Sequence, residues 1–581
     1  MDDTQKVDVF ISGAGPVGLL FALRMKANNH TFYIADIKEE PTYEMRAVSL
    51  TARTMETLQN FKLAHHILQE ALVLQGTQLI VNGKKMNNNN NNNKKLKNKR
   101  GQIDMAGDTS FPHVTSIAQH NTEKIFSQLL GEEMINRHTE LVSYKQRNEE
   151  YGVEAIVKDL HTGKIKTIHA KYIIGADGTH SGVRKLIKDW TYDGFSIATR
   201  FGVGDVSIEE KDAEIISRTR GSVFINGDVL GGFVPVGEQE NGLFYYRFFV
   251  NLGPYEVEME DAKNRAVTHG INYNDSITLE QVQDLVNQGM HPLKIKIKKL
   301  QHLSVFRINE RKANGYRRNC AFLIGDAAHC HSPAGGQGLN LGLQDAGNLA
   351  WKLSLVLNGF ASDPEKVLDS YAAEREPIVA KLMQATGSST RLRILRSGLA
   401  EPGDFMPETV ALRKRIINNQ HIERQALHTI LQQEGCQHSV IWIATRPSRF
   451  DPCEWTREFW CKYFTHFGSP KKNNAAAVRP IIIESTVHAT QCKAPIYVCK
   501  NVNNNKNDIE HVFWTEEQWD VQNSISKRVG LDKYMWNKSE PPAAIVIVRP
   551  DLYVAYTGLV RSAGDMDQAF EFLGSYLISK K

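Results

Sequence analysis

The chain has no Cys-x-x-Cys pair, no apolar run near the ~20 residues that cross a bilayer, and no large excess of either charge. Its seven cysteines are an odd, scattered set, Cys320, Cys330, Cys436, Cys453, Cys461, Cys492 and Cys499. Dithiol redox chemistry, cysteine metal clusters and a disulfide framework therefore have no support, and reduced thiols are expected. With 70 basic and 65 acidic side chains the net charge is only +5, which excludes the electrostatic footprint of a nucleic-acid binder. Residues Met1 to Lys6 lead straight into an apolar segment without a signal-peptide core, and Ile578-Ser579-Lys580-Lys581 does not complete a Ser-Lys-Leu address. The expectation is a soluble, cytoplasmic protein with no membrane span.

What is present is enough apolar material, 41% of 581 residues, for two or three domains with substantial cores. Basic residues concentrate in Lys94-Lys95-Leu96-Lys97-Asn98-Lys99-Arg100, directly after seven asparagines, Asn87 to Asn93, so 87–100 reads as a low-complexity insert in a hairpin-like connection. Helices are expected over Val48 to Leu63, Thr122 to Glu133, Leu343 to Leu357, Pro364 to Gly387 and near Thr409 to Gln433. Strands are expected at Gln78 to Lys84, Glu154 to Lys158, Ile165 to Ala170 and Tyr172 to Gly175. From Trp190 to Leu303 aromatic and β-branched runs such as Leu243 to Val250 predict a sheet. Beyond Gly435 a mixed region carries strands at Pro480 to Ile483 and Ala544 to Arg549 and a helix from Ala563 to Leu577.

Three glycine motifs punctuate this order, each after a strand-like run: Gly13-Ala14-Gly15-Pro16-Val17-Gly18, Gly175-Ala176-Asp177-Gly178 and Gly325-Asp326-Ala327-Ala328-His329. The first lies in a βαβ context, with strand Val7 to Ile11, a helix from Leu19 to Asn28, and strand Thr31 to Ala35 ending at Asp36. That is the pattern of a dinucleotide site. Gly13 permits the tight turn, Gly15 the approach of a pyrophosphate, and Gly18 close packing of helix on sheet, while Asp36 can accept from a ribose. An unliganded βαβ turn is the plainer alternative.

With the second and third motifs in place, the chain resembles the single-component FAD-dependent aromatic hydroxylases, the family of phenol hydroxylase and p-hydroxybenzoate hydroxylase. The resemblance rests on Arg46-Ala47 followed by Ala52-Arg53-Thr54, on Gln119 ahead of Thr122-Glu123, on Gly175 through Arg184, and on Gly325 through Leu353. The last block includes Pro333-Ala334-Gly335-Gly336-Gln337-Gly338-Leu339-Asn340. Val548-Arg549-Pro550-Asp551-Leu552-Tyr553-Val554-Ala555-Tyr556 is similar to the branch with a C-terminal thioredoxin-like domain. The implied fold is α/β and α+β: a discontinuous Rossmann-like FAD-binding domain (1–189 and 304–434), an inserted β-sheet substrate domain (190–303) and a thioredoxin-like domain without Cys-x-x-Cys (435–581).

By resemblance, Gly13, Gly15, Gly18 and Asp36 serve the ADP half of FAD, with Arg46 and Gln119 near the cofactor and Asp326 on the ribityl chain. The N–H groups of Gly338-Leu339-Asn340, at a helix start, face the flavin edge that becomes anionic on reduction. Two readings stand for Pro333, a wall over the flavin or a strand-to-loop breaker. Two also stand for Asp177 in the segment with Arg184, cofactor contact or an ordinary turn, while His329 reads as local structure rather than a base. The implied reaction uses NADPH or NADH and dioxygen to hydroxylate a phenolic or related aromatic substrate through a flavin C4a-hydroperoxide, in a possible homodimer. No second dinucleotide fingerprint is present, in keeping with a nicotinamide that visits transiently.

One departure stands out. Val48 occupies the position at which the phenol-hydroxylase branch carries an acidic residue, so no catalytic base is identified. A substrate that arrives ionised, another base, oxidation of a non-phenolic ring or polyketide, and a non-catalytic flavin-binding protein are the alternatives this leaves open. Tyr245, Tyr246 and Arg247 in the expected sheet read equally as a substrate wall and as sheet packing.

Overall fold

The computed structural model describes residues 4–41, 47–86, 109–239, 243–252, 277–330 and 336–387, short strands between 257 and 272, and, beyond 412, the elements named below. Two compact units are built from interleaved parts of the chain. One comprises 1–104, 113–350 and 369–390, the other 105–112, 351–368 and 391–581.

The first unit is organised by a sheet in which Ala321–Leu323, Ile165–Gly175, Thr4–Ser12, Phe32–Ala35 and Ile135–Asn136 run parallel in that order. Near-continuous apolar runs suit strands covered on both faces, and Val9, Phe10, Ile11, Ile173 and Ile174 are fully buried. Helix Pro16–Ala27 is buried around most of its circumference, through Leu19, Leu20, Phe21, Ala22 and Met25, and Lys26 Nζ bonds the Leu130 carbonyl of helix Gln119–Leu130 at 2.6 Å. Strands Thr139–Gln146 and Val153–Asp159 extend the sheet as an antiparallel meander.

Ile165–Gly175 is one strand, not the expected two. Lys171, the charged residue at the anticipated break, pairs with Asp8 on the adjacent strand at 3.0 Å, so the ladder continues past it. The expected helix Val48 to Leu63 also differs: the helix is Ala52–Asn60, preceded by strand Ser49–Leu50. The carbonyls of Ala47 and Val48 accept from Gln119 and Ile117, which holds the segment extended.

The second sheet runs Gly270–Asn272, Ile297–Ala313, Tyr192–Glu209, Leu243–Asn251, Val229–Gln239, Gly221–Asn226, Thr77–Val81, Lys84–Lys85. It exceeds the 190–303 interval at both ends. Ile297–Ala313 carries it past residue 303, and Thr77–Val81 joins from upstream by parallel pairing with Gly221–Asn226. One face buries Val206, Tyr246, Phe248 and Val250 against helix Leu279–Met290.

The other unit holds a sheet ordered Asn419–Gln425, Leu412–Ile416, Phe513–Glu516, Val478–Ser485, His438–Thr445, Ala543–Val548, Val554–Val560, followed by helix Ala563–Gly574. The helix expected near Thr409 to Gln433 is contradicted over Leu412–Ile416 and Asn419–Gln425, which form an antiparallel pair. The first of these also pairs with Phe513–Glu516, a long-range ladder that overrides local propensity. Trp351, Leu355 and Val367 share a buried core here with Val440, Trp442, Phe459 and Phe570, so 351–368 leaves the expected FAD-binding interval.

Candidate functional site

The register of the parallel sheet brings the three motifs together. Ser12 lies opposite both Gly175 and Ala35, and Gly175 opposite Leu323, so Gly13, Ala176, Asp36 and Ile324 leave one edge side by side. Ligands of open α/β sheets bind at this carboxyl edge. Backbone bonds fasten the exits: Gly13 N–H to Ala35 O at 2.7 Å, Ala176 N–H to Ser12 O at 2.8 Å and Ile324 N–H to Gly175 O at 2.9 Å. Gly13 has φ +103°, and a Cβ there would lie 2.8 Å from Asp177 N and closer still to the Ala176 carbonyl. The first two motifs therefore touch through a position only glycine can occupy.

Gly15 is different. Its φ of −73° suits any residue, and a Cβ would meet no atom of the described residues within 4 Å. Protein packing does not demand this glycine. Gly15 caps helix Pro16–Ala27, which has Pro16 in its first turn and no acidic residue there, leaving its N–H groups and dipole to an anion. Gly338 repeats the pattern in the first turn of helix Gln337–Leu357, again with open space at its Cβ and no acid in the turn. A Cβ on Gly342, one turn further along, would lie 2.7 Å from Val17 Cγ2, so the two helix N-termini are neighbours. These open positions fit a long dinucleotide laid across both.

Asp36 is half-buried, with Oδ2 accepting from Ala14 N–H at 2.6 Å and Oδ1 from Lys38 N–H at 2.8 Å. Asp177 works inside the protein: Oδ2 accepts from Ser12 Oγ at 3.0 Å, Gly182 N–H at 2.8 Å and Val183 N–H at 3.2 Å. Burial raises its carboxyl above the ordinary value against these bonds. Through Oδ2 it braces Ser12 against the turn at Gly182 and Val183. Arg184 clamps motif to motif, donating to Thr179 O and Ala327 O at 2.6 Å each, with its guanidinium 3.8 Å from the Tyr192 ring centroid. Tyr192 in turn donates to Asp326 O at 2.9 Å. Within the otherwise buried run 321–330, Asp326 alone is exposed, its carboxylate presented outward from a fixed backbone.

His329 is buried and contacts Asp345 Oδ2 at 2.8 Å; Arg375 Nε donates to Asp345 Oδ1 at 2.6 Å, and Gly325 N–H to Oδ2 at 3.1 Å. Burial pushes Asp345 up, but Arg375 and then His329 hold its carboxyl below the ordinary 3.8. This knot fixes Gly325 from behind, which is the local-structure reading of His329. The sequence offered one unused signal for it, an acidic residue set among Leu341, Leu343, Leu349 and Leu353 on a helix.

Asn340 is fully buried, and its side chain is consumed internally: Nδ2 donates to Ser49 O at 2.8 Å and Gly336 O at 2.7 Å, and Oδ1 accepts from Thr51 N–H at 2.8 Å. Only its backbone can serve a ligand. Sequence reasoning missed Ser49 and Thr51, which tie the 47–51 segment to the helix start. Gln119 opens its own helix and donates to Glu123 Oε1 at 2.8 Å. Arg46 and Pro333 lie outside the described residues.

Val48, next to Ser49, is buried with Ala118 against Val234, Val236 and Tyr245 of the second sheet. Tyr246 points the other way, into the core, while Arg247 forms an ion pair with Asp205 at 3.1 Å between Nε and Oδ1. The buried thiol of Cys330 is pushed up to about 12 by burial, so it stays protonated at neutral pH. Among the described residues, Glu39, His138 and His161 bring three potential ligand atoms within 4.8 Å of one another, with Glu39 and His161 exposed. No helix among them is long and apolar enough to cross a membrane.

Comparison with known proteins agrees with this geometry. A protein of Bacillus subtilis named as an uncharacterized aromatic compound monooxygenase is 31% identical over 394 residues, covering 67% of this chain and 69% of its own. A rifampicin monooxygenase of Rhodococcus hoagii is 29% identical, covering 66% and 71%. The crystal structure of a flavin-dependent monooxygenase in complex with FAD and substrate superposes with TM-score 0.67 at 16% identity, covering 98% of both chains. A ternary complex of aklavinone-11 hydroxylase with FAD and aklavinone gives 0.65 at 18%, covering 99% of both. The family described as FAD binding domain matches residues 6–386. The chain belongs to that FAD binding domain family, and within it to the FAD-dependent monooxygenases of aromatic hydroxylase type.

Proposed function

We propose that this enzyme inserts one atom of dioxygen into an electron-rich phenolic or related aromatic ring, the second oxygen leaving as water and NAD(P)H supplying two electrons. The observation that carries the reading is the pair of open glycines, Gly15 and Gly338, at two adjacent helix N-termini. When bound, FAD supplies the redox chemistry between NAD(P)H and oxygen. The loop Gly13 to Gly18 takes the pyrophosphate, and Asp36, its oxygens already anchored by Ala14 and Lys38, accepts ribose hydroxyls with its remaining lone pairs. Asp326 accepts from the ribityl chain. The backbone N–H groups of Gly338, Leu339 and Asn340 face the flavin edge and favour negative charge there. By resemblance alone, Arg46, Gln119 and Pro333 are also assigned to the cofactor.

The apolar patch of Val48, Ala118, Val234 and Val236 excludes water from the substrate side, as a reactive oxygen donor requires. A patch without charge also suits a larger polyketide ring system, the second substrate class. The C-terminal unit is thioredoxin-like in this reading. Support comes from the parallel pair His438–Thr445 and Val478–Ser485, the antiparallel strands Ala543–Val548 and Val554–Val560, and the closing helix. Lacking Cys-x-x-Cys, it serves packing rather than thiol exchange.

The test is to purify the protein, record its flavin spectrum, and follow NADPH and NADH oxidation under air with phenols, hydroxybenzoates and larger aromatics, analysing products by mass. Substrate-stimulated oxidation with a gain of one oxygen supports the reading. Bound FAD without stimulation by any ring would leave a flavin-binding protein that does not hydroxylate.

A further inference from the structure

Val48 leaves the substrate's ring oxygen without an obvious partner, but a partner stands on the neighbouring sheet. Along Leu243–Asn251 side chains alternate between faces. Tyr246, Phe248 and Val250 enter the core, whereas Tyr245 packs with Val48, Val234 and Val236 on the opposite face. Arg247 shares that face. In register it lies opposite Val234 on one side and Asp205 on the other, so Val234, Arg247 and Asp205 form one row across three strands. The row adjoins the site through Val48 and Ser49, whose carbonyl receives Asn340 at the start of helix Gln337–Leu357.

Arg247 is 7% exposed and Asp205 0%. Their ion pair uses Arg247 Nε, and Arg247 Nη2 is buried with no hydrogen-bond partner among the described residues. A guanidinium is always charged and only donates, and burying one of its N–H groups unpaired is unfavourable unless a ligand completes it. We propose that Arg247 receives an ionised ring oxygen of the substrate, a phenolate or enolate, and that Asp205 is a positioning residue that aims its guanidinium; this rests on the monooxygenase reading above. An ionised oxygen only accepts and so matches a donor, whereas a neutral phenol brings an O–H proton that Val48, Val234 and Val236 cannot accept and that leaves only a side chain such as Tyr245 to take it. The proton goes to solvent before binding, and no base is needed at position 48. The groups acting electrostatically on Arg247 are Asp205 and Tyr245. Burial, and then Asp205, raises the Tyr245 phenol above its ordinary value, so Tyr245 remains neutral beside the incoming charge.

The probe is 4-nitrophenol, whose phenolate absorbs in the visible and whose neutral form does not, titrated against the full-length FAD-loaded protein across pH by difference spectroscopy. The expected result is an ionisation equilibrium of the bound probe displaced about tenfold toward phenolate relative to the free probe. Arg247→Gln should abolish that displacement, Arg247→Lys should keep its sign but weaken it, and Asp205→Asn should weaken phenolate affinity while the sign persists. Because Arg247→Gln strands a buried Asp205 charge, the double variant Asp205→Asn/Arg247→Gln, which removes both charges, provides the folded comparison, with flavin content as the check. Binding of the neutral form, no binding to FAD-loaded protein, or an equal displacement in wild type and the charge-free double variant would overturn the proposal. Product analysis separates the two ideas. Hydroxylated product without a phenolate shift removes this proposal alone, and a phenolate shift without product removes the monooxygenase reading alone.

Discussion

A methyl group on Gly13 would collide with the Ala176 carbonyl on the neighbouring strand exit and would also have to adopt φ +103°. Gly13→Ala should therefore cost roughly 3 kcal/mol or more of stability and abolish flavin retention, measurable as a lowered Tm and a colourless protein. Gly15→Val makes the useful contrast: with nothing within 4 Å of its Cβ, the variant should fold with a Tm near wild type yet bind FAD at least ~10-fold more weakly, because the branched side chain fills the space a pyrophosphate needs. Equal loss of stability in both variants would contradict the open cradle. Asp345 makes a pH prediction. Its carboxyl is held below 3.8 in the folded state, so its stabilisation is present above the unfolded value and disappears as pH falls below about 4. Asp345→Asn should flatten the acid limb of the stability curve and lose about 3–5 kcal/mol at neutral pH, because Arg375 is left buried without its counter-ion. At this scale the tight turn at Gly13 was legible, since it follows from backbone conformation at a strand end. The Asn340 side chain was not, because it is satisfied by groups distant in sequence, Ser49 and Thr51.

The start of helix Gln337–Leu357 is held in place by a side chain rather than by its own sequence. Asn340→Ala removes two donated bonds and an acceptor of Thr51 N–H, leaving partly buried carbonyls at Ser49 and Gly336. A loss of about 2–4 kcal/mol is expected, with altered flavin fluorescence reporting a displaced helix start. Long periodic elements such as Pro364–Gly387 were legible, as were strands bounded by glycine. The failures came where partners decide the outcome. Ser49–Leu50 is extended because Val114–Ser116 pairs with it, and Leu412–Ile416 is a strand because Asn419–Gln425 and Phe513–Glu516 lie beside it. A chain read by local pattern contains none of that information.

Over the whole molecule, the sequence indicated three motifs and their order but not that Ile165–Gly175 lies between the other two strands, the fact that makes one site of them. It also concealed that the second sheet recruits Thr77–Val81 from far upstream. The asparagine-rich insert 87–100 follows the short hairpin ending at Lys85. Replacing it with a short Gly-Ser linker should leave flavin content and Tm unchanged within a degree or so, since loop-closure entropy varies only slowly with length. The C-terminal region invites the opposite experiment, and its core explains the expected outcome. Trp351, Leu355 and Val367 are packed with Val440, Trp442, Phe459 and Phe570, so a stop codon after residue 434 removes not a terminal appendage but the other half of a core to which the middle of the chain has already contributed. The region is therefore not a detachable cassette: any ancestral exchange of C-terminal domains in this chain had to replace a mid-chain segment at the same time, and engineered chimaeras must carry 351–368 along with whatever follows 391.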